Sequence, residues 1–173
     1  MVEALKPRSA LADVLKPGRY GAAAETPGVT ITEIRGRTLV HIDFGSLEST
    51  APTPDAISMG PGRWLIATDD KGLAERLAAE HTAAAVNDIS SSRTCLQLSG
   101  PKARTVLAAG CSMDLHTSAF KPGDSATTLV GQFTVTLKAI DDNTFEIFVA
   151  RGFAQSFFEW LTGVAAEVGY EVA

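Results

Sequence analysis

The chain has 173 residues, 45% hydrophobic and 20% charged, a composition that supports a packed core and excludes a disordered polyelectrolyte. Fifteen Lys and Arg against twenty Asp and Glu give a net charge of -5, and no basic run lays a stripe along a phosphate backbone, so nucleic acid is not expected as a partner. No stretch reaches the ~18 apolar residues of a membrane span, and the opening Met1-Val2-Glu3-Ala4-Leu5-Lys6-Pro7-Arg8 lacks the apolar centre of a secretory signal, so the expectation is a cytoplasmic protein whose Cys95 and Cys111 are free thiols.

Residues 1–28 carry Pro7, Pro17 and Pro27 and read as an N-terminal tail: a short helical segment over residues 9–15, stopped by Lys16-Pro17-Gly18, then an Ala-rich loop. The tail is expected to dock on the body or on a partner. From Val29 apolar residues alternate through Ile31, break at Arg35-Gly36-Arg37 and resume over Leu39-Val40-His41-Ile42-Asp43-Phe44, a pattern that predicts the two strands of a hairpin. Residues 46–54 read as loop. Gly60-Pro61-Gly62 is a tight turn that releases a strand at Arg63-Trp64-Leu65-Ile66-Ala67. Asp69 or Asp70 can cap the helix that follows, in which Leu73, Leu77 and the Ala74/Ala78 pair share a face, and residues 86–89 return as a strand.

A second cycle opens at Thr94-Cys95-Leu96-Gln97-Leu98, again alternating. Gly100-Pro101 starts a helix with proline where its missing N–H costs nothing, and Gly110 closes it. Strands are predicted over residues 126–130, 133–140 and 144–149, the last two joined by the Asp141-Asp142-Asn143 turn. A final helix begins near Arg151 with an apolar stripe of Phe153, Phe157, Trp160, Leu161, Val164 and Val168, from which Phe158 departs. This order predicts an α+β protein with antiparallel sheets, packed helices and a split βαβ, ferredoxin-like layer. The similar order in residues 63–90 suggests a single domain over 29–173 built of two related halves, 29–90 and 91–173.

The residues offer little chemistry. Cys111, Asp114 and His116 form the one local cluster of metal-type ligands, but a zinc site wants converging N or S donors and His41 and His81 belong to other elements, so a helix end followed by a capped turn is the simpler reading. Gly60-Pro61-Gly62 and Ser99-Gly100-Pro101-Lys102 lack the phosphate-loop pattern, and proline removes a donor where one is needed. Asp69/Asp70 and Asp141/Asp142 sit in polar turns. Trp64 and Trp160 read as core. Arg151, Phe153 and Phe158 are the candidate contact residues, because aromatic and arginine side chains are enriched at interface centres; for Phe158 a second packed layer is the alternative.

The blocks Asn87-Asp88-Ile89-Ser90, Leu96-Gln97-Leu98-Ser99-Gly100-Pro101-Lys102-Ala103-Arg104-Thr105-Val106-Leu107 and Gly110-Cys111-Ser112-Met113-Asp114-Leu115-His116 resemble the gamma subunit of heterotetrameric sarcosine oxidase. The turn Gly60-Pro61-Gly62-Arg63-Trp64-Leu65, the segment from Leu5 to Leu11, and Val149-Ala150-Arg151-Gly152-Phe153-Ala154 with Trp160-Leu161 fit as well. More distantly the chain is similar to the folate-binding aminomethyltransferases of glycine cleavage, which implies a folate-binding-domain-like fold. The gamma family implies a bacterial complex in which an alpha subunit carries FAD and NAD, a beta subunit shares covalent FMN with it, and delta binds zinc. In that complex sarcosine is oxidatively demethylated and tetrahydrofolate accepts the one-carbon unit. The resemblance implies a structural place beside the larger subunits, with no catalytic residue, cofactor or metal to carry over. The alternative is a stand-alone folate-binding one-carbon carrier or aminomethyltransferase-like protein, although the strand pair over residues 127–137 is too short for the Asn-bearing loop those enzymes use.

Overall fold

A computed structural model describes residues 8–23, 25–46 and 50–173. In chain order the elements are β1 (Gly18–Tyr20), β2 (Val29–Ile34), β3 (Thr38–Asp43), β4 (Ile57–Gly60), β5 (Arg63–Thr68), α1 (Leu73–Glu80), β6 (Ala85–Asp88), β7 (Arg93–Ser99), α2 (Ala103–Ala108), β8 (Ser125–Val130), β9 (Phe133–Ala139), β10 (Thr144–Ala150), a 3-10 turn (Arg151–Phe153), α3 (Ala154–Ala165) and β11 (Tyr170–Val172). The strands form a seven-stranded sheet ordered β1-β11-β2-β7-β10-β9-β8 and a four-stranded sheet ordered β4-β5-β3-β6.

Strand periodicity decides how these layers stack, because successive side chains point to opposite faces. On one face of the larger sheet, Leu96 and Leu98 of β7 and Ile147 and Val149 of β10 pack with Val106 and Leu107 of α2 and with Phe157 and Leu161 of α3. On the other face, Cys95 and Phe148, directly opposite each other in register, meet Leu39, Ile57 and Leu65 of the smaller sheet. The far side of the smaller sheet is covered by α1, whose Leu77 packs with Val40 and Ile66. All strand pairs are antiparallel except β11 beside β2. Because β2 and β10 each run antiparallel to β7, β11 lies parallel to β10 with β7 and β2 between them. The unit β10-α3-β11 is therefore a split βαβ crossover, within the predicted α+β class, although β11 is not among the predicted strands and α3 ends at Ala165, short of the expected Val168.

Two pairings differ from expectation. β2 and β3 do not form a hairpin: β2 pairs with β7 and β11, whereas β3 pairs with β5 and β6. Arg35-Gly36-Arg37, with Gly36 at φ 78°, carries the chain from one sheet to the other. Alternation reveals that a segment is a strand but not which strand it pairs with. As a result the sheets do not divide at residue 90, since β1 and β2 both belong to the larger one. β4, which the sequence reading left unassigned, pairs with β5 across the Gly60-Pro61-Gly62 turn.

The described part of the tail is built into the body. β1 pairs with β11, and Leu11 is 0% exposed in the core under the larger sheet. Residues 1–7 of the tail and 47–49 of the expected 46–54 loop lie outside the described residues. The tail segment also explains Phe158. Val14 and Leu15 pack against the core cluster that holds Phe158, and α3 buries Phe158 beside Phe157, so its apolar face is wider than a single stripe; Phe158 is 5% exposed. Phe153, expected on the buried stripe, instead precedes α3 in the 3-10 turn and is 60% exposed.

Candidate docking face

The groups that carry chemistry elsewhere are occupied structurally here. The His116 backbone N–H donates to Asp114 Oδ1 at 2.8 Å, and His116 Nδ1 lies 2.8 Å from the Ser118 hydroxyl, so these residues close a turn on themselves. Cys111 forms a β-bridge to Val130. Among the described residues no three His, Cys, Asp or Glu side chains are placed to hold a metal ion. The Cys95 thiol lies between the sheets, where burial first and the Glu146 carboxylate second push it up to about 12. It stays protonated at neutral pH and is no nucleophile. Asp141 is held below the usual carboxylate range by the Asn143 backbone N–H and then by the Thr144 hydroxyl, which makes it an anchor of its turn. Asp70 is lowered by Arg76 and then by the Gly72 backbone N–H, which it accepts at 2.9 Å just ahead of α1.

The predicted contact residues gather at the end of β10. Register places Arg93 of β7 opposite Ala150, the last residue of β10, so Arg93, Arg151 and Phe153 share one corner of the larger sheet. The Arg151 backbone N–H donates to the Ser92 carbonyl at 2.8 Å, which pins the 3-10 turn to the loop before β7, and its guanidinium donates to the Arg8 carbonyl. Phe153 tilts over Phe133 with ring centroids 6.3 Å apart. Phe158 is not at this corner, because it is packed into the core.

Two depressions meet there. One, of about 460 Å³, is lined by Arg93, Gln132, Phe133, Thr134, Ala150, Phe153 and Ser156. The other, of about 360 Å³, has Arg8, Arg35, Arg37, Lys71, Arg93 and Arg151 among its lining residues. Arg93 belongs to both. It is half-buried, its guanidinium has no hydrogen-bond or ion-pair partner among the described residues, and burial holds it below the usual arginine range. A half-desolvated cation beside an exposed aromatic ring is the composition of an interface centre. Sequence reasoning missed Arg93, because nothing in its neighbours marks it; only the β7 to β10 register brings it beside Phe153.

The chain matches the model of the sarcosine oxidase, gamma subunit family over residues 20–167. It is 31% identical over 157 residues to the sarcosine oxidase subunit gamma of Corynebacterium sp. strain P-1, covering 89% of this chain and 73% of that protein. Its fold is similar to a chain of the heterotetrameric sarcosine oxidase from Corynebacterium sp. U-96 solved in complex with pyrrole 2-carboxylate, at TM-score 0.78 and 20% identity over 92% of this chain and 95% of that one. A weaker likeness, TM-score 0.51 at 18% identity over 81% of this chain and 49% of the other, is to the glycine cleavage system aminomethyltransferase T of Bartonella henselae.

Proposed function

We propose a role that starts from one premise: this chain belongs to the sarcosine oxidase gamma subunit family. It is the non-catalytic gamma subunit of a heterotetrameric sarcosine oxidase-like complex, docked on the larger subunits through the corner formed by Arg93, Arg151 and Phe153. The alpha, beta and delta partners supply the chemistry, with FAD, NAD, FMN and zinc in their sites and tetrahydrofolate taking the one-carbon unit during oxidative demethylation of sarcosine in the bacterial cytoplasm. The N-terminal tail, residues 1–28, adds Arg8 to the docking face.

One observation carries the docking role: Phe153 is 60% exposed beside an unpartnered, half-buried arginine. Leaving that ring in water forgoes on the order of 2 kcal/mol of burial, which a partner surface would recover. The site chemistry supports the non-catalytic part, since among the described residues the one strongly shifted thiol is neutral and the shifted carboxylates are lowered by the Arg76 ion pair, for Asp70, or by turn contacts, for Asp88 and Asp141. The two-residue turn Gly131-Gln132 between Val130 and Phe133, packed close under Trp160, supports this reading over a folate carrier, because it leaves little chain for a ligand-binding loop there.

Co-expression with the larger subunits of such a complex tests the role. The chain is expected to co-elute with them and, alone, to turn over no sarcosine and bind no tetrahydrofolate. Micromolar tetrahydrofolate binding by the isolated chain in calorimetry would favour the stand-alone folate carrier instead.

A further inference from the structure

We propose that the basic cleft beside Phe153 receives an acidic, carboxylate-bearing segment of the partner subunit. This rests on the docking role above and deepens it. Among the described residues six cations, Arg8, Arg35, Arg37, Lys71, Arg93 and Arg151, line a cleft of about 360 Å³, and Glu33 is the one carboxylate of that lining. The whole chain has fifteen Lys and Arg and a net charge of -5, so this cleft is a local inversion of the molecule's charge. The six come from five stretches of sequence, Arg35 and Arg37 sharing the segment in which the chain crosses between the two sheets.

Their partners show how much charge is left over. Arg37 is paired with Glu146 at 2.7 Å, Arg35 with Glu33 at 2.6 Å and Arg8 with Asp13 at 2.5 Å. Lys71 donates to the neutral Gly36 carbonyl and Arg151 to the neutral Arg8 carbonyl, while Arg93 has no side-chain partner among the described residues. Arg93 and Arg151 therefore have no carboxylate partner among the described residues, and Lys71 feels Asp88 without an ion pair to it; the three stand on different walls, Lys71 on the turn before α1, Arg93 at the start of β7, and Arg151 after β10.

That arrangement selects the occupant. A compact anion needs free donors converging on one point, whereas these charges are spread along a groove and suit several carboxylates carried on an extended segment. Nucleic acid needs a basic stripe several phosphates long, whereas Arg76, the next cation along the chain from Lys71, is neutralised by its ion pair with Asp70. Because Arg93 lines both depressions, a partner anchored on Phe153 extends directly into the basic cleft. The positive field then steers the encounter and the aromatic groove holds it.

The experiment uses the full chain and the purified partner subunits, with Arg35→Glu/Lys71→Glu as the charge variant and Lys71→Gln as a milder one should the double variant not fold. Association rates are measured at 50 and 300 mM NaCl. The expected result for the double variant is association slowed about tenfold or more at low salt with a flattened salt dependence, and for Lys71→Gln a smaller change in the same direction. An unchanged rate and salt slope overturns the inference; if Phe153→Asp still breaks the complex in that case, the docking role stands. Binding of a single-stranded RNA dodecamer that depends on Arg35 and Lys71, with partner association unaltered, also overturns it.

Discussion

Arg37, in the segment between β2 and β3, places Nη1 2.7 Å from the Glu146 carboxylate of β10, and so ties the smaller sheet to the larger where Glu146 is only 4% exposed. The two ends of this pair are unequally wet: the Arg37 side chain is 28% exposed and that of Glu146 is 5% exposed. Removing Arg37 strands a buried carboxylate, whereas removing the Glu146 charge leaves a cation that water can reach. Arg37→Met should therefore cost about 2–4 kcal/mol and Glu146→Gln less, about 1–2 kcal/mol. Urea denaturation of the two variants measures the order, and the reverse order would contradict this account of the pair.

Gly110 and Trp160 set a second constraint. A Cβ on Gly110 would lie 2.4 Å from the indole ring and 2.7 Å from the Gly131 backbone nitrogen, which donates to the Gly110 carbonyl at 2.9 Å. Gly110→Ala is expected to cost about 1–3 kcal/mol by overpacking. Adding Trp160→Phe should recover part of that loss, read as the midpoint of thermal unfolding.

Much of the fold is legible in the sequence and part is not, for reasons that particular residues show. Leu96 and Leu98, then Ile147 and Val149, alternate clearly, and the Gly60-Pro61-Gly62 and Asp141-Asp142-Asn143 turns mark their own positions. The partner of β2 is invisible, because its Val29 and Ile31 would alternate equally well against β3 or β7. Phe158 stands off the single stripe, where contact residue and second packed layer are both open, and the packed layer is what forms: the cluster it joins also takes in Val14 and Leu15, more than a hundred residues earlier. The docking corner is half legible: Arg151 and Phe153 stand together in the sequence, as do Arg35 and Arg37, while Arg8, Lys71 and Arg93 join them only through the fold.

Burial of Cys95 has a pH signature. Its thiol is pushed from 9.0 up to about 12 in the folded state, so the folded chain holds a proton that the unfolded chain releases in between. The contribution is whole below pH 9 and is lost as pH rises from about 9 toward 12, at up to ~1.4 kcal/mol per pH unit. Cys95→Ala should flatten the fall in stability between pH 9 and 10.5. The native thiol should also resist alkylation at pH 8 until the chain unfolds.

Leu11 distinguishes a built-in tail from a free one. It is 0% exposed and packs in the main core, so Leu11→Ala is expected to cost about 2–4 kcal/mol, as for any core leucine. A change below about 0.5 kcal/mol in urea denaturation would show that the segment floats.

The dissociation constant between this chain and the larger subunits, measured for the unaltered protein and for Phe153→Asp, tests the central claim most directly. Because Phe153 is 60% exposed and its one ring contact among the described residues is Phe133, the substitution should shift the unfolding midpoint of the isolated chain by only about 3 °C or less. The docking account predicts affinity weakened by about thirtyfold or more, the loss typical of an interface anchor. Equal affinity for the two proteins would contradict it.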